Sequence, residues 1–162
     1  PLFVGMSRKS MIGQLLNVNG SRTVQDYHRS LGKVMWDYVG MGRTREGLQH
    51  AITEIGKMRE EYWQNVKIPG SPDTMNKSLE FAGRVSDYME LAELMAIDAR
   101  HREESCGGHF REEYQQEGEA LRNDEDFCYV AAWGYSGDVR KPELNKEELQ
   151  FESVHLAQRS YK

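Results

Sequence analysis

The chain is expected to be mainly α: a three-helix up-down-up bundle followed by an extended tail with a β-hairpin. Three observations point there. Apolar residues recur at helical spacing over three stretches between Val24 and Ala99. Glycine or proline punctuates each stretch. An acidic, apolar-poor segment then gives way to a short aromatic and β-branched run, the pattern of a strand. With 162 residues and 38% hydrophobic content, the chain has material for one modest core, so one domain is the expectation.

The first helix carries Val24, Tyr27, Leu31, Val34, Tyr38 and Met41 along one stripe. Ser21 or Thr23 can cap its start, and Gly40 with Gly42 can stop it. A second helix begins near Thr44, has Glu46 in its first turn, and aligns Leu48, Ile52, Ile55, Met58 or Arg59, and Tyr62. Pro69-Gly70-Ser71-Pro72 closes it, because proline can neither donate its amide nor fit the helix interior. The third stripe is Ala82, Val85, Met89, Ala92, Met95 or Ala96, and Ala99; Leu91 and Leu94 widen it and predict burial on more than one side. Gly107 and Gly108 are expected to end this helix in a left-handed turn. Helices of about 20 to 28 residues would run roughly 30 to 40 Å and pack antiparallel through short loops. In the tail, Phe127 to Tyr135 reads as a strand, Ser136-Gly137-Asp138 as a turn, and Glu148 to Val154 as the second strand, where Leu149, Phe151 and Ser153 alternate with Gln150 and Glu152. A lone hairpin is marginal in water, so it should lean on the bundle or a partner.

A net charge of -5 with interspersed Lys and Arg argues against a nucleic-acid partner, which needs clustered cations to neutralise phosphates. Cys106 and Cys128 form no CxxC and no ladder of spacings, so a reducing cytoplasm is a simpler expectation than a disulfide framework. No apolar run approaches the ~20 residues that span a bilayer. Because the chain starts at Pro1, it is expected to be a fragment, a processed product or a partial gene model.

His101 to Glu113, HREESCGGHFREE, packs charge, a thiol, two histidines and a Gly-Gly pair where a long helix should stop. The run from Glu103 to Glu112 resembles the ESRGAHxRED signature that closes the C-terminal helical bundle of succinate dehydrogenase and fumarate reductase flavoprotein subunits. Cys106 and Gly108 stand where Arg and Ala are more common. Arg159-Ser160-Tyr161 resembles the same family's terminal Arg, Ser or Thr, Tyr. The resemblance covers roughly residues 20 to 162. It implies that the parts holding FAD and turning over succinate lie upstream, so no catalytic, cofactor or metal residue is carried over and FAD belongs to the parent subunit. It implies Glu104, Ser105, His109 and Arg111 as interface candidates toward the flavin domain of the same subunit. Further partners would be an iron-sulfur subunit and a membrane anchor subunit, placing the assembly peripherally on the cytoplasmic side of a bacterial inner membrane. Whether the parent oxidises succinate or reduces fumarate is not set by these residues.

Residues 1–18 read differently. An apolar lead from Pro1 to Val4, then Gly5, Ser7, Arg8, Lys9 and Ser10, resembles the strand and SRKS loop of dihydropteroate synthase, in which the lysine matching Lys9 contacts the pterin. That family's TIM barrel needs eight strand-helix units, so this piece cannot rebuild its active site. A joined or mis-assembled reading frame is the expected explanation, with a foreign segment at 1–18 and the flavoprotein-like domain at 19–162. The segment should then pack poorly, as disordered chain or an improvised helix from Lys9 to Leu16; the alternative is an ordinary amphipathic lead-in.

Other chemistries are weaker. His101, Glu104, Cys106 and His109 are zinc-ligand types, but no HExxH or CxxC completes a set. The pairs Glu60-Glu61, Glu103-Glu104, Glu112-Glu113 and Glu147-Glu148 read as solvated faces. Cys106 beside His109 matches no thiol-imidazole pattern. No Gly-rich phosphate loop follows a strand. Trp36, Trp63 and Trp133 should pack core or interface. Two alternatives to the docking domain remain open: a stand-alone helical interaction module, and a fragment of dihydropteroate synthase.

Overall fold

Among the described residues, Leu15 is the first core side chain met along the chain, 1% exposed on helix α1 (Arg8–Asn17). The computed structural model describes residues 8–71 and 73–157. Pro1 to Ser7 and Arg159-Ser160-Tyr161, with the motif residues they carry, lie outside the described residues. Of the two forms expected for this segment, disordered chain or a helix from Lys9 to Leu16, its described part takes the helix, with Leu15 in the core and Met11 and Val18 against it.

A short strand β1 (Arg22–Thr23) leads into helix α2 (Val24–Tyr38). Thr23 caps it: Oγ1 accepts the Asp26 amide at 3.2 Å, and the Asp26 carboxylate accepts the Thr23 amide at 3.3 Å. Val24, Tyr27 and Leu31 are buried as the stripe predicts, whereas Met41, past the helix end, is 83% exposed. After β2 (Gly42–Arg43), helix α3 (Arg45–Asn65) starts on Thr44, whose hydroxyl accepts the Gly47 amide at 3.0 Å. Strand β3 (Val66–Lys67) runs parallel to β1, and Gly20 donates to the Val66 carbonyl at 3.3 Å. A Cβ on Gly20 would lie 1.9 Å from the Asn65 carbonyl oxygen, so this crossing admits only glycine.

Helix α4 (Lys77–His101), capped by Asn76 on the Leu79 amide at 3.0 Å, completes the up-down-up bundle. Its buried alanines Ala82, Ala92, Ala96 and Ala99 present a small-residue face to the core. Tyr27 and Tyr62 meet edge to face at 4.9 Å, and the Tyr62 hydroxyl donates to the Ala82 carbonyl at 2.8 Å, joining all three long helices. Two charges cross the same core. Arg59 of α3 and Glu93 of α4, both nearly buried, meet at 2.5 Å off the hydrogen-bond axis, so the contact is coulombic. Burial raises the Glu93 carboxyl against the attraction of Arg59. Of the two leucines that widen the stripe on α4, Leu91 remains 56% exposed and Leu94 is only half-buried, and at the alternative stripe position Ala96 is buried while Met95 is 47% exposed.

Past α4 come β4 (Phe110–Arg111), the small hairpin β5 (Gln115–Gln116) with β6 (Glu119–Ala120), the single turn α5 (Asp124–Phe127), and the antiparallel pair β7 (Tyr129–Gly134) and β8 (Glu143–Glu148). The register Tyr129↔Glu148 through Gly134↔Glu143 places the second strand earlier than Glu148–Val154. Its sequence, ELNKEE, is mostly exposed, so it carries none of the alternation that marks a half-buried strand. The hairpin does lean on the bundle: Trp133 Nε1 donates to Asp98 at 2.6 Å and Tyr129 Oη meets His101 Nε2 at 2.9 Å.

Candidate functional site

One end of the bundle gathers the end of α2, the start of α3 and the end of α4, and the HREESCGGHFREE segment folds over it. Helix α4 stops at His101, before the Gly-Gly pair, with Arg102 extended at its C-cap. The helix needs no glycine there because a side chain from outside takes its last carbonyls. Arg111 Nη1 lies 3.0, 3.3 and 3.2 Å from the carbonyl oxygens of Ala99, Arg100 and Arg102. Those are the orphan acceptors and the negative pole of the helix, and a guanidinium answers both. Arg111 Nε donates to Glu113 at 3.1 Å, and its guanidinium carbon stands 5.4 Å over the Tyr114 ring.

Gly107 and Gly108 form instead the tip of a tight turn. Cys106 and His109 exchange backbone hydrogen bonds at 2.8 and 3.0 Å, and Gly107 takes φ +59°, the left-handed conformation that glycine adopts without penalty. The turn delivers β4 alongside β2 in parallel, Gly42 opposite Phe110 and Arg43 opposite Arg111. Ser105 locks it from inside: its amide donates to Leu121 O at 2.8 Å, while Oγ accepts the Arg111 amide at 2.8 Å and donates to the Arg111 carbonyl at 3.1 Å. Glu104, buried, accepts Arg102 Nε at 2.7 Å and the Asn123 amide at 2.9 Å.

His109 joins two helix ends. Nδ1 accepts Arg43 Nη1 at 2.7 Å, and Nε2 donates to the Arg102 carbonyl at 2.9 Å. A guanidinium only donates and a carbonyl only accepts, so these partners assign the Nε2–H tautomer. Burial depresses the His109 pKa, opposed by the Arg102 carbonyl and reinforced by the charges of Arg43, Arg111 and Arg102. Arg43 in turn donates from Nε to the carbonyls of Val39 at 3.2 Å and Gly40 at 2.7 Å, closing the end of α2 as Arg111 closes that of α4.

This geometry revises the site expected from the sequence. Arg111 and Ser105 are 0% exposed and Glu104 2%, so the contacts these three make here lie within the chain. Glu104 is thereby not half of a solvated pair. His109 is half-buried, and the exposed glycines beside it form the outward part of the motif. With both ring nitrogens of His109 engaged, the imidazole cannot activate Cys106, and among the described residues no three His, Cys, Asp or Glu side chains converge on a metal position. Trp36 is 85% exposed at this same end, while Trp63 is core and Trp133 anchors the hairpin. Arg43 and Arg102 were not marked by sequence reasoning; an arginine in a short inter-helix connection is the only signal Arg43 gives.

Residues 28–161 match the family model described as fumarate reductase flavoprotein C-term. Among curated relatives, an uncharacterized FAD-dependent oxidoreductase of Methanocaldococcus jannaschii is 30% identical over 114 residues, which is 70% of this chain and 20% of that protein. The fumarate reductase flavoprotein subunit of Proteus vulgaris is 29% identical over 148 residues, 91% of this chain and 24% of the subunit. Among solved structures, a chain of E. coli quinol fumarate reductase superposes with a TM-score of 0.78 at 22% identity, over 93% of this chain and 25% of that one, and so shares the fold. The chain spans about a fifth to a quarter of the length of these relatives.

Proposed function

The chain belongs to the fumarate reductase flavoprotein C-terminal family, and from that premise we propose that it is the helical docking domain of the flavoprotein subunit of a succinate dehydrogenase or fumarate reductase. In this reading the remainder of the subunit holds FAD and interconverts succinate and fumarate. Electrons pass to an iron-sulfur subunit and on to quinone, in a complex held by a membrane anchor subunit on the cytoplasmic side of a bacterial inner membrane. No helix among the described residues is long and apolar enough to cross a membrane.

The observation that carries this reading is the extent of the match, which takes in the bundle and its tail together. The bundle end supports it with a surface suited to contact. Trp36, in the last turn of α2, and Met41, just before β2, are 85% and 83% exposed. Large exposed apolar side chains are the kind of anchors that interfaces use. Glu104, Ser105 and Arg111 hold that turn in shape from behind, and His109 and the glycine tip meet the flavin domain.

Purified as the 162-residue chain, the protein is then expected to be colourless and to bind neither FAD nor succinate in titration calorimetry. In a complete subunit carrying this domain, Trp36→Ala and Met41→Ala should loosen flavin retention on gel filtration with little change in succinate KM. Tight flavin binding by the chain alone would overturn the reading. So would a selective loss of turnover with assembly intact.

A further inference from the structure

The middle of α4 offers a second surface, distinct from the bundle end. Tyr88, Leu91 and Met95 repeat at helical spacing yet stay outside the core, with Leu91 56% exposed. Beside them the connection between β7 and β8 bends over the helix, leaving a groove of about 290 Å³ floored by Leu91, Leu94, Trp133, Tyr135 and Pro142. The groove has fixed walls. Trp133 Nε1 is tied to Asp98 at 2.6 Å, and His101 packs edge-on against the Trp133 ring at 5.7 Å.

Its charge is one-sided. Asp87, Glu90 and Asp138 line it, and no Lys or Arg does. Of the neighbouring cations, Arg59 faces Glu93 in the core and Arg140 pairs with Glu60 at 3.1 Å; Arg140 and Lys141 also attract Asp138, which leaves Asp87 and Glu90 as the stronger acidic side of the rim. Burial raises the Glu90 carboxyl, Arg59 opposes that shift and Asp87 adds to it, so a carboxylate here gains from an incoming cation. An apolar floor under an acidic rim is complementary to an apolar side chain flanked by Lys or Arg. It is poorly suited to a second copy of a chain whose own net charge is -5.

We propose that this groove docks a basic amphipathic segment of a partner polypeptide, which seats an apolar side chain between Leu91 and Trp133 and sets its cations against Asp87, Glu90 and Asp138. The proposal does not depend on the flavoprotein reading, since the surface is complete within this chain. The test is a nuclear magnetic resonance titration of the isotopically labelled 162-residue chain with a synthetic amphipathic helix of Leu, Ala and Lys, and with its twin carrying Glu for Lys. The Lys peptide should shift the resonances of Leu91, Leu94 and the Trp133 indole, saturably and less strongly at high salt, and the Glu twin should shift none. Leu91→Ser and Glu90→Lys, exposed or half-exposed changes checked for an unaltered circular dichroism spectrum, should each weaken binding roughly tenfold or more. Equal binding of the twin would overturn the proposal, as would shifts scattered over other acidic surfaces. Broadening of the same resonances with chain concentration alone would show that a second copy is the occupant and would overturn it too.

Discussion

Replacing Arg111 by methionine tests directly what closes the bundle end. The change keeps an apolar stem of similar reach and removes the guanidinium. Nη1 carries two hydrogens, so at most two of the three carbonyls at 3.0 to 3.3 Å are bonded at once. Each hydrogen bond from a charged donor contributes about 1.5 to 3 kcal/mol. The ion pair to Glu113 adds under about 1 kcal/mol, because the Glu113 side chain is 35% exposed and its charge is screened. Against these gains, the folded protein is relieved of a buried cation, whose desolvation costs several kcal/mol. The balance is a destabilisation of about 2 to 4 kcal/mol, read as a lower urea midpoint by circular dichroism. Arg111→Lys, with one ammonium in place of the planar fork, should fall between wild type and Arg111→Met and remains measurable if the methionine variant fails to fold. A loss below about 1 kcal/mol for Arg111→Met, or no difference between the two variants, would refute a capping role for this side chain.

Three further outcomes are expected. Because burial holds the folded His109 pKa below its ordinary 6.5, the imidazole is neutral in the fold; its contribution is complete above pH 6.5 and is lost as pH falls from there through the folded pKa. Urea midpoints measured downward from neutral pH should therefore drop more steeply for wild type than for His109→Gln. Leu15→Ala should cost about 2 to 4 kcal/mol in the same assay, and a loss near zero would mean that α1 merely rests on the bundle. Arg59→Met alone should cost about 3 to 5 kcal/mol by stranding buried Glu93, whereas Arg59→Met with Glu93→Leu should recover most of it; an additive double variant would deny the pairing.

The helices were legible because burial writes a 3.6-residue period: Val24, Tyr27 and Leu31, or Val85, Met89 and Ala96, face one core and recur accordingly. Thr23 was legible as a cap because its role is local, resolved within three residues by Asp26. What escaped is non-local or lacks periodicity. Leu91 and Met95 share a composition with core residues, and only the position of the hairpin shows that they remain outside. Strand β8 is held by its ladder to β7 and buries almost nothing, so hydropathy misplaced it. Of the site, the sequence marked Glu104, Ser105, His109 and Arg111 by motif and assigned them outward. Only the distances from Arg111 to the α4 carbonyls reveal that these side chains turn inward, and Arg43, far away in sequence, gave no signal beyond its place in a short inter-helix connection.

The pairing of β2 with β4 also orders events during synthesis. Arg43 leaves the ribosome long before Arg111, with all of α3 and α4 still to emerge, yet the two strands are neighbours in the finished domain. Until the last turn of α4 and the residues after it have emerged, the connection between α2 and α3 has no strand beside it and the end of α4 has no cap. Joining such distant segments carries a loop-closure entropy that only the already packed helices can offset. A nascent chain halted between Lys77 and His101 is thus a set of helices without its clasp, open to proteases and to misassociation at the end that Arg43, His109 and Arg111 hold together in the complete domain.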